Sequence, residues 1–175
     1  MKRVIFMLAL TFLSFSSFSA ETRSSKNNEE CRFAASQIGG ICENGWAYAI
    51  KEDELRDTQE YRALLFDEKS SRLSRDDITV LVVYSEDNKK MDMASLNLNN
   101  DAFVCEAKAF CDGLIRVNDG EIFVFYYFTF PDNNHIAYFK PNLFENAHKI
   151  VIELPAKKNK KRQFLFSAGV IKWAP

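Results

Sequence analysis

The chain has 175 residues, of which 23 are basic and 24 are acidic, and its formal net charge is −1. A charge so close to zero argues against nucleic acid as a partner, because binding to phosphates requires a basic surface. The length suits one domain with a genuine core, and no stretch after the N-terminus approaches the roughly 18 apolar residues of a membrane-spanning helix.

The N-terminus has the three parts of a secretory signal peptide. Lys2 and Arg3 precede an apolar stretch, residues 4–15, that is too short to span a bilayer, and a serine-rich stretch follows. Cleavage needs small residues one and three positions before the cut, which favours a cut after Ser19. We therefore expect residues 1–19 to be removed, leaving a periplasmic or secreted protein without a transmembrane segment.

Residues 20–44 read as a polar leader and a short segment held between two cysteines. The leader has no periodic apolar face, which is typical of a chain that does not pack by itself. Further on, the pattern predicts a short helix from Asn28 to Ile38, and the glycines at positions 39 and 40 would end it.

The four cysteines of an exported chain predict two disulfides rather than free thiols. Three pairings are possible, and the simplest joins Cys31 to Cys42 and Cys105 to Cys111. The spacing of the second pair fits neither a zinc knuckle nor a redox motif, both of which place two cysteines closer together. We therefore expect a disulfide across a hairpin that joins residues 102–105 to residues 114–117.

The remaining chain, residues 45–175, consists of short apolar runs separated by turn-forming residues. The runs cover residues 46–50, 61–66, 78–84, 91–98, 102–105, 114–117, 122–130, 136–139, 150–154, 163–166 and 170–173. This spacing predicts an all-β fold, a single antiparallel β-sandwich or flattened barrel of about ten short strands. A proline at position 141, followed by apolar residues at helical spacing, predicts one short helix near residues 141–148.

The most aromatic run is EIFVFYYFTF, residues 121–130, which is apolar on both faces of a strand. Such a strand usually lies in the middle of a fold with cover on both sides, and this is our expectation for residues 122–130. The alternative is an exposed aromatic surface that binds a ligand or another protein.

Few residues suggest catalysis or metal binding. Asp112, Asp119 and Glu121 could converge as an acid/base pair of a hydrolase, although Asp119 followed by glycine is also the strongest hairpin signal in the chain. Neither His135 nor His148 has a second histidine at metal-binding spacing. We therefore expect no metal and no cofactor.

Five basic residues lie between two predicted strands: Lys157, Lys158, Lys160, Lys161 and Arg162. One interpretation is an exposed hairpin tip whose charges keep the sheet from pairing with other chains. The other is a basic finger that contacts an anionic surface, such as lipid head groups, cell-wall polymer or an acidic partner.

Several motifs occur together in an order that resembles a known group of proteins. They are WAY at residues 46–48, FVCEAKAFCDGLIRVNDG at residues 103–120, IELP at residues 152–155 and the ending GVIKW at residues 169–173. The chain is similar to a loose family of exported, mostly uncharacterised bacterial proteins related to the invasion-associated locus B family and to type VI secretion accessory proteins. This resemblance implies a compact β-rich domain with a hairpin disulfide, and it carries over no catalytic residue.

Together these observations predict a non-catalytic, exported binding or accessory protein that contacts another protein or a component of the cell envelope. Two alternatives stay open. One is a secreted virulence-associated factor, and the other is a hydrolase that uses the carboxylates at residues 112–121.

Overall fold

The computed structural model describes residues 18–55, 57–69, 78–106, 109–158 and 160–173. All but the last two residues of the predicted signal peptide, residues 1–19, lie outside this part of the chain.

The described residues form one helix and ten strands. The helix α1 spans Phe18–Ile38. The strands are β1 Ile41–Glu43, β2 Trp46–Asp53, β3 Thr58–Phe66, β4 Thr79–Ser85, β5 Met93–Leu98, β6 Cys111–Val117, β7 Ile122–Phe130, β8 Asn133–Phe139, β9 Lys149–Leu154 and β10 Arg162–Ser167.

All ten strands belong to one antiparallel sheet in the order β1-β2-β3-β4-β5-β8-β7-β6-β9-β10. The predicted all-β, ten-stranded antiparallel fold is confirmed. No strand ladder joins β1 to β10, so the sheet is not closed, and this is consistent with a sandwich or a flattened barrel. The two ends nevertheless meet, since Gly169 N–H donates to Asn44 O (2.7 Å) and the Trp46 indole N–H donates to Gly169 O (2.8 Å).

One face of the curled sheet forms the core, and alternation along the strands decides which side chains enter it. In β9, Ile150, Ile152 and Leu154 are buried while the residues between them are partly exposed, because successive strand residues point to opposite faces. We call the opposite side of the sheet its outer face. The largest fully buried side chains are Trp46, Tyr127, Phe103, Phe164 and Phe166.

The helix α1 covers only part of the outer face. Cys31, Ala34 and Ala35 form a small buried cluster with Ala47 of β2, and α1 contacts β1, β2 and β3. The helix predicted for residues 28–38 is confirmed, although it begins further upstream. Its end is also as predicted: Gly39 has a φ of 65°, and Gly40 N–H donates to Ala35 O (2.8 Å), the arrangement that satisfies the last carbonyls of a helix.

The second predicted helix, at residues 141–148, is wrong. This segment instead makes two successive turns, in which Phe144 N–H donates to Pro141 O and Ala147 N–H donates to Phe144 O, each at 3.0 Å. A helix this short is unstable without tertiary support. Here tertiary contacts favour the turns, which place Phe144 and Ala147 in the core.

Two predicted strands were also wrong, and one strand was missed. Residues 102–105 make only an isolated bridge between Phe103 and Ala156, and residues 170–173 are not a strand, whereas β1 was missed. The segment at 102–105 instead packs into the core through Phe103, and Tyr127 O–H donates to Val104 O (3.0 Å). The sheet begins at Ile41, inside residues 20–44, which sequence analysis described as a polar leader and a short segment held between two cysteines.

Candidate binding surface

Both predicted disulfides are present, and no cysteine is free. Cys31–Cys42 joins α1 to β1. Cys105–Cys111 does not cross a hairpin as predicted, because residues 102–105 are not a strand. It closes the loop that leads into β6 and so positions the residue just before that strand, Phe110, which is 74% exposed.

The strand β7 is not covered on both sides, so the expectation of a doubly covered central strand is wrong. Tyr127 points into the core, but Val124, Tyr126 and Phe130 on the outer face are 59%, 65% and 51% exposed. The reason lies in the placement of α1: it covers β1 to β3, and within the described residues its contacts do not extend to β7. The alternative interpretation, an exposed aromatic surface, describes the structure.

Five rings form what we call the aromatic surface: Phe110, Tyr126, Phe128, Phe130 and Tyr138. Phe128 is paired with Tyr138 across β7 and β8, and their rings stack at 5.5 Å. Phe130 lies 5.6 Å from Phe128 and 5.3 Å from Tyr138, and Phe110 lies 6.0 Å from Phe128, all edge-to-face. Such ring pairs stabilise one another beyond the area they bury, so this surface is held in place before any partner binds.

Polar groups on β3, β4 and β5 border the aromatic surface. The guanidinium of Arg62 lies over the Tyr84 ring at 5.5 Å and is ion-paired with Glu60, and the Tyr84 hydroxyl is hydrogen-bonded to Ser95 Oγ (2.9 Å). Burial raises the pKa of Tyr138, and Tyr84 adds to this effect while Arg62 opposes it. A tyrosine hydroxyl is neutral at physiological pH even at its ordinary pKa of about 10, and the shift at Tyr138 adds to this, which suits an uncharged contact surface.

A groove of about 620 Å³ runs beside β7 and opens onto this surface. Its lining is almost entirely apolar. The lining residues are Met93, Phe110, Ile115, Phe123, Val124, Phe125, Tyr126, Phe128, Tyr138, Phe139, Lys140, Asn142, Leu143 and Phe144.

The three carboxylates proposed for a hydrolase do not converge, because Asp112 lies far from the other two. Asp112 and Asp119 lie at opposite ends of β6, roughly 17 Å or more apart at the rise of a strand. Carboxylate pairs that hydrolyse glycosidic bonds lie within about 10 Å of each other. Asp119 is in the β6–β7 turn, where it is ion-paired with Lys149 at 3.3 Å, and Glu121 is exposed at the start of β7.

Neither histidine lies in a cluster suited to metal binding. The Nδ1 atom of the His135 ring is 2.5 Å from Asp101 O. The backbone N–H of His148 donates to Asn118 Oδ1 (3.0 Å). Among the residues that the structure describes, no group of three or more histidine, cysteine, aspartate or glutamate side chains is placed to hold a metal ion.

The five basic residues at the connection between β9 and β10 have different environments. Arg162 is mostly buried, ion-paired with the buried Asp101 (3.6 Å), so it has a structural role. Lys161 is ion-paired with Glu153 at 3.6 Å but remains 74% exposed. The other three side chains at this tip, Lys157, Lys158 and Lys160, are exposed.

Sequence reasoning missed Phe110 and Tyr138 as members of the aromatic surface. The register of the sheet places Tyr138 opposite Phe128, and continuing the β6–β7 register one residue beyond Cys111 places Phe110 opposite Phe128 on the other side. The signal available in the sequence was that β7 is almost entirely apolar on both faces, with Thr129 as its one non-aromatic polar residue. Its buried and exposed faces therefore cannot be assigned from the pattern alone.

Comparisons of the chain with protein-family models, with curated proteins and with solved structures found no match. The resemblance to exported bacterial proteins related to the invasion-associated locus B family therefore stays a prediction. In the described part of the chain, no helix has both the length and the apolar character needed to cross a membrane.

Proposed function

We propose that this chain is an exported, non-catalytic binding or accessory protein, periplasmic or secreted, whose aromatic surface contacts another protein. The observation that carries the proposal is the exposure of Phe110, Tyr126 and Phe130 beside a stacked Phe128–Tyr138 pair. Proteins that act alone rarely leave a contiguous apolar patch of this kind in water. Aromatic side chains are also the ones most enriched at the centre of protein–protein interfaces.

Two further observations support this proposal over the alternatives. Asp112 is separated from both Asp119 and Glu121 by the length of β6, which is unfavourable for the three carboxylates acting together. The two disulfides fit an oxidising compartment outside the cytoplasm. A secreted virulence-associated factor would use the same surface and would differ only in where the mature protein is found.

The proposal is tested by affinity capture of the mature protein from an envelope extract of the source cells, followed by mass spectrometry. The double variant Phe110→Ser/Phe130→Ser removes two exposed rings of the aromatic surface. Its matched control is Ile41→Ser/Ile50→Ser, which removes two apolar side chains of similar exposure (51% and 57%) from β1 and β2.

We expect the wild type and the control to retain the same specific protein and the Phe110→Ser/Phe130→Ser variant to lose it. If the wild type retains no specific protein, or if the ring variant retains the same one, the aromatic surface is not the binding site.

We propose the tip lysines as a second contact, with an anionic component of the envelope. The supporting observation is that Lys157, Lys158 and Lys160 are exposed together at one end of the sheet. Lys161 and Arg162, which sequence analysis included, are in ion pairs with Glu153 and Asp101, and so the proposed contact narrows to three lysines.

A further inference from the structure

The first half of β7 pairs on one side only. The ladder between β6 and β7 covers Ile122 to Tyr127, whereas the ladder between β7 and β8 begins at Tyr127, which faces Phe139. Residues 122–126 therefore have a neighbouring strand on the β6 side and none on the other, among the strands that the structure describes. Within a ten-stranded sheet, this is an internal open edge about five residues long.

Pro141 explains why β8 stops there. Continuing the observed register places Lys140 opposite Tyr126 and Pro141 opposite Phe125. Proline has no backbone N–H to donate to a ladder, and its ring disfavours continued pairing. The chain turns away at this point into the two turns of residues 141–148, and the space that β8 would have filled stays open.

The apolar groove occupies this space. Its lining includes the consecutive residues 123–126. Successive residues of a strand point to opposite faces, so a cavity that meets all four must run along the edge of the strand. The far wall is formed by Met93 and by residues 142–144. The groove is therefore a slot between an open strand edge and an opposing wall.

An edge of this composition needs cover. Residues 122–130 contain no charged residue and no proline, the two devices with which proteins usually prevent edge strands from pairing with other chains. Ile122, Val124 and Tyr126 are each more than half exposed. An apolar edge without such protection is prone to pair with other chains unless a specific partner occupies it.

We propose that an extended segment of the partner protein binds in this slot as an added strand beside residues 122–126. This inference rests on the proposed function and names its ligand class. Only an extended peptide offers donors and acceptors that alternate at the spacing of a strand edge. The slot walls select apolar side chains on both faces of that peptide. Lys140 is the one charged residue among those that line the slot, and it selects a carboxylate at one end of the peptide by charge complementarity.

The shape of the slot favours the binding of a single peptide strand over pairing with the β7 edge of a second copy of this chain. Pairing two β7 edges would bring the wall formed by residues 142–144 of each copy against the other copy's sheet. A single extended segment of about five residues requires only the width of one strand, about 4.8 Å between backbones.

The test uses a phage-displayed random heptapeptide library, selected on the wild-type protein with its disulfides intact. We expect enrichment of uncharged peptides rich in apolar residues and ending in Asp or Glu. The enriched peptide is then synthesised with an N-methyl group at each position in turn. In an added strand only alternate amides face the edge, so N-methylation at one alternate set should weaken binding about tenfold or more, and at the other set should change it little.

Two variants test the location of the site. Val124→Lys places a charge on the slot and should abolish binding of the selected peptide, whereas Ile50→Lys, at an equally exposed position on β2, should leave it unchanged. Tolerance of N-methylation at every position, or a library that yields no apolar consensus, would show that β7 does not accept a strand.

The same variants separate this inference from the proposed function. If Val124→Lys still retains the cellular partner while Phe110→Ser/Phe130→Ser loses it, the partner uses the aromatic surface and the slot inference is wrong. If peptides bind the slot but no cellular protein is retained by the wild type, the proposed function fails while the strand-accepting edge stands.

Discussion

At the scale of single residues, Asn118 connects two distant segments. It adopts a left-handed conformation (φ 56°) in the turn between β6 and β7. Its Oδ1 accepts from the backbone N–H groups of His148 (3.0 Å) and Lys149 (3.2 Å), and its Nδ2 donates to Asn146 O (3.2 Å). Asn118 therefore sits in the turn of the hairpin, and its side chain attaches that turn to the end of the segment 141–148, where a helix was predicted.

We expect Asn118→Ala to lower the free energy of unfolding by about 2 kcal/mol, because it loses these hydrogen bonds and strains the left-handed backbone. Asn118→Gly keeps the backbone conformation and loses only the side chain. Urea unfolding of both variants separates the two effects. If Asn118→Gly is as stable as the wild type, the three hydrogen bonds do not contribute.

Asp67 makes the stability of the folded state depend on pH in a direction that its environment determines. Its side chain is buried, and Leu165 N–H donates to its Oδ1 (2.7 Å). Burial raises its pKa above the ordinary value of 3.8, while the Leu165 N–H, Lys69 and Arg162 act in the other direction. Because the folded state holds the proton more tightly, the contribution of Asp67 to stability is fully present below pH 3.8 and is lost as pH rises through the raised pKa.

The variant Asp67→Asn cannot ionise, so its stability relative to the wild type should improve as pH rises from about 3.5 to 7. Asp87→Asn is the opposite control, because the Lys89 backbone N–H lowers the pKa of Asp87. The wild-type carboxylate therefore contributes stability above pH 3.8 and loses that contribution as pH falls through the lowered pKa. Thermal unfolding of the wild type and of each variant across the pH series measures both stability differences. A pH-independent difference for Asp67→Asn would contradict this assignment.

At the scale of elements, the C-terminal segment takes the place of a strand ladder in holding the ends of the sheet together. Gly169 exchanges hydrogen bonds with Asn44 and Trp46, and Lys172 N–H donates to the Tyr48 hydroxyl (2.9 Å). Trp173 is more than half buried, as the apolar composition of the segment predicts, and its ring meets Tyr48 edge-to-face at 6.4 Å.

Deleting residues 167–175 should therefore abolish cooperative unfolding, because β1 and β2 lose their contacts with the β10 end of the sheet. Differential scanning calorimetry shows whether the deletion variant still unfolds in a cooperative transition. The variant Trp46→Phe keeps the segment but loses the bond to Gly169 and leaves a small cavity in the core, so it should keep a cooperative transition at a lower temperature. A deletion variant with an unchanged transition would show that the segment is dispensable.

At the scale of the whole molecule, the two proposed contact sites, the tip lysines and Phe110, lie at the same end of the sheet. The tip between β9 and β10 and the disulfide loop before β6 are both at this end, because β9 ends and β6 begins there. Backbone bonds join them, with Val104 N–H donating to Pro155 O (3.0 Å) and Lys157 N–H to Ala102 O (2.8 Å). The exposed lysines and Phe110 are therefore neighbours at this end of the molecule, as simultaneous binding of both to one partner would require.

The double variant Lys158→Ser/Lys160→Ser should change stability by no more than about 0.5 kcal/mol, since exposed charges rarely matter more. If the tip binds an anionic component, this variant should co-sediment less with envelope fragments, and wild-type binding should fall as salt screens the charges. Lys51→Ser/Lys89→Ser, at two other exposed lysines, is the matched control. Equal sedimentation of all three proteins at every salt concentration would leave the tip as a solvated turn.

Local features of the fold could be predicted because short-range chemistry decides them. The glycines after Ile38 end a helix wherever that helix packs, the turn composition at residues 118–120 forms a hairpin, and each disulfide joins cysteines that are near in sequence. The strand periodicity likewise placed most of the ten strands.

The binding surface depended on tertiary structure, because a residue pattern records how apolar a face is and not what lies over it. Both faces of β7 could have been buried. One is exposed because α1 reaches only to β3, and its first half has an open edge because Pro141 ends β8. In the same way, Asp112 and Asp119 are close in sequence but are kept apart by the length of β6. The sequence by itself thus determined most of the strands, the hairpin turn at residues 118–120 and the disulfides, while the tertiary structure decided which apolar face meets the solvent, since cover comes from elements that are distant along the chain.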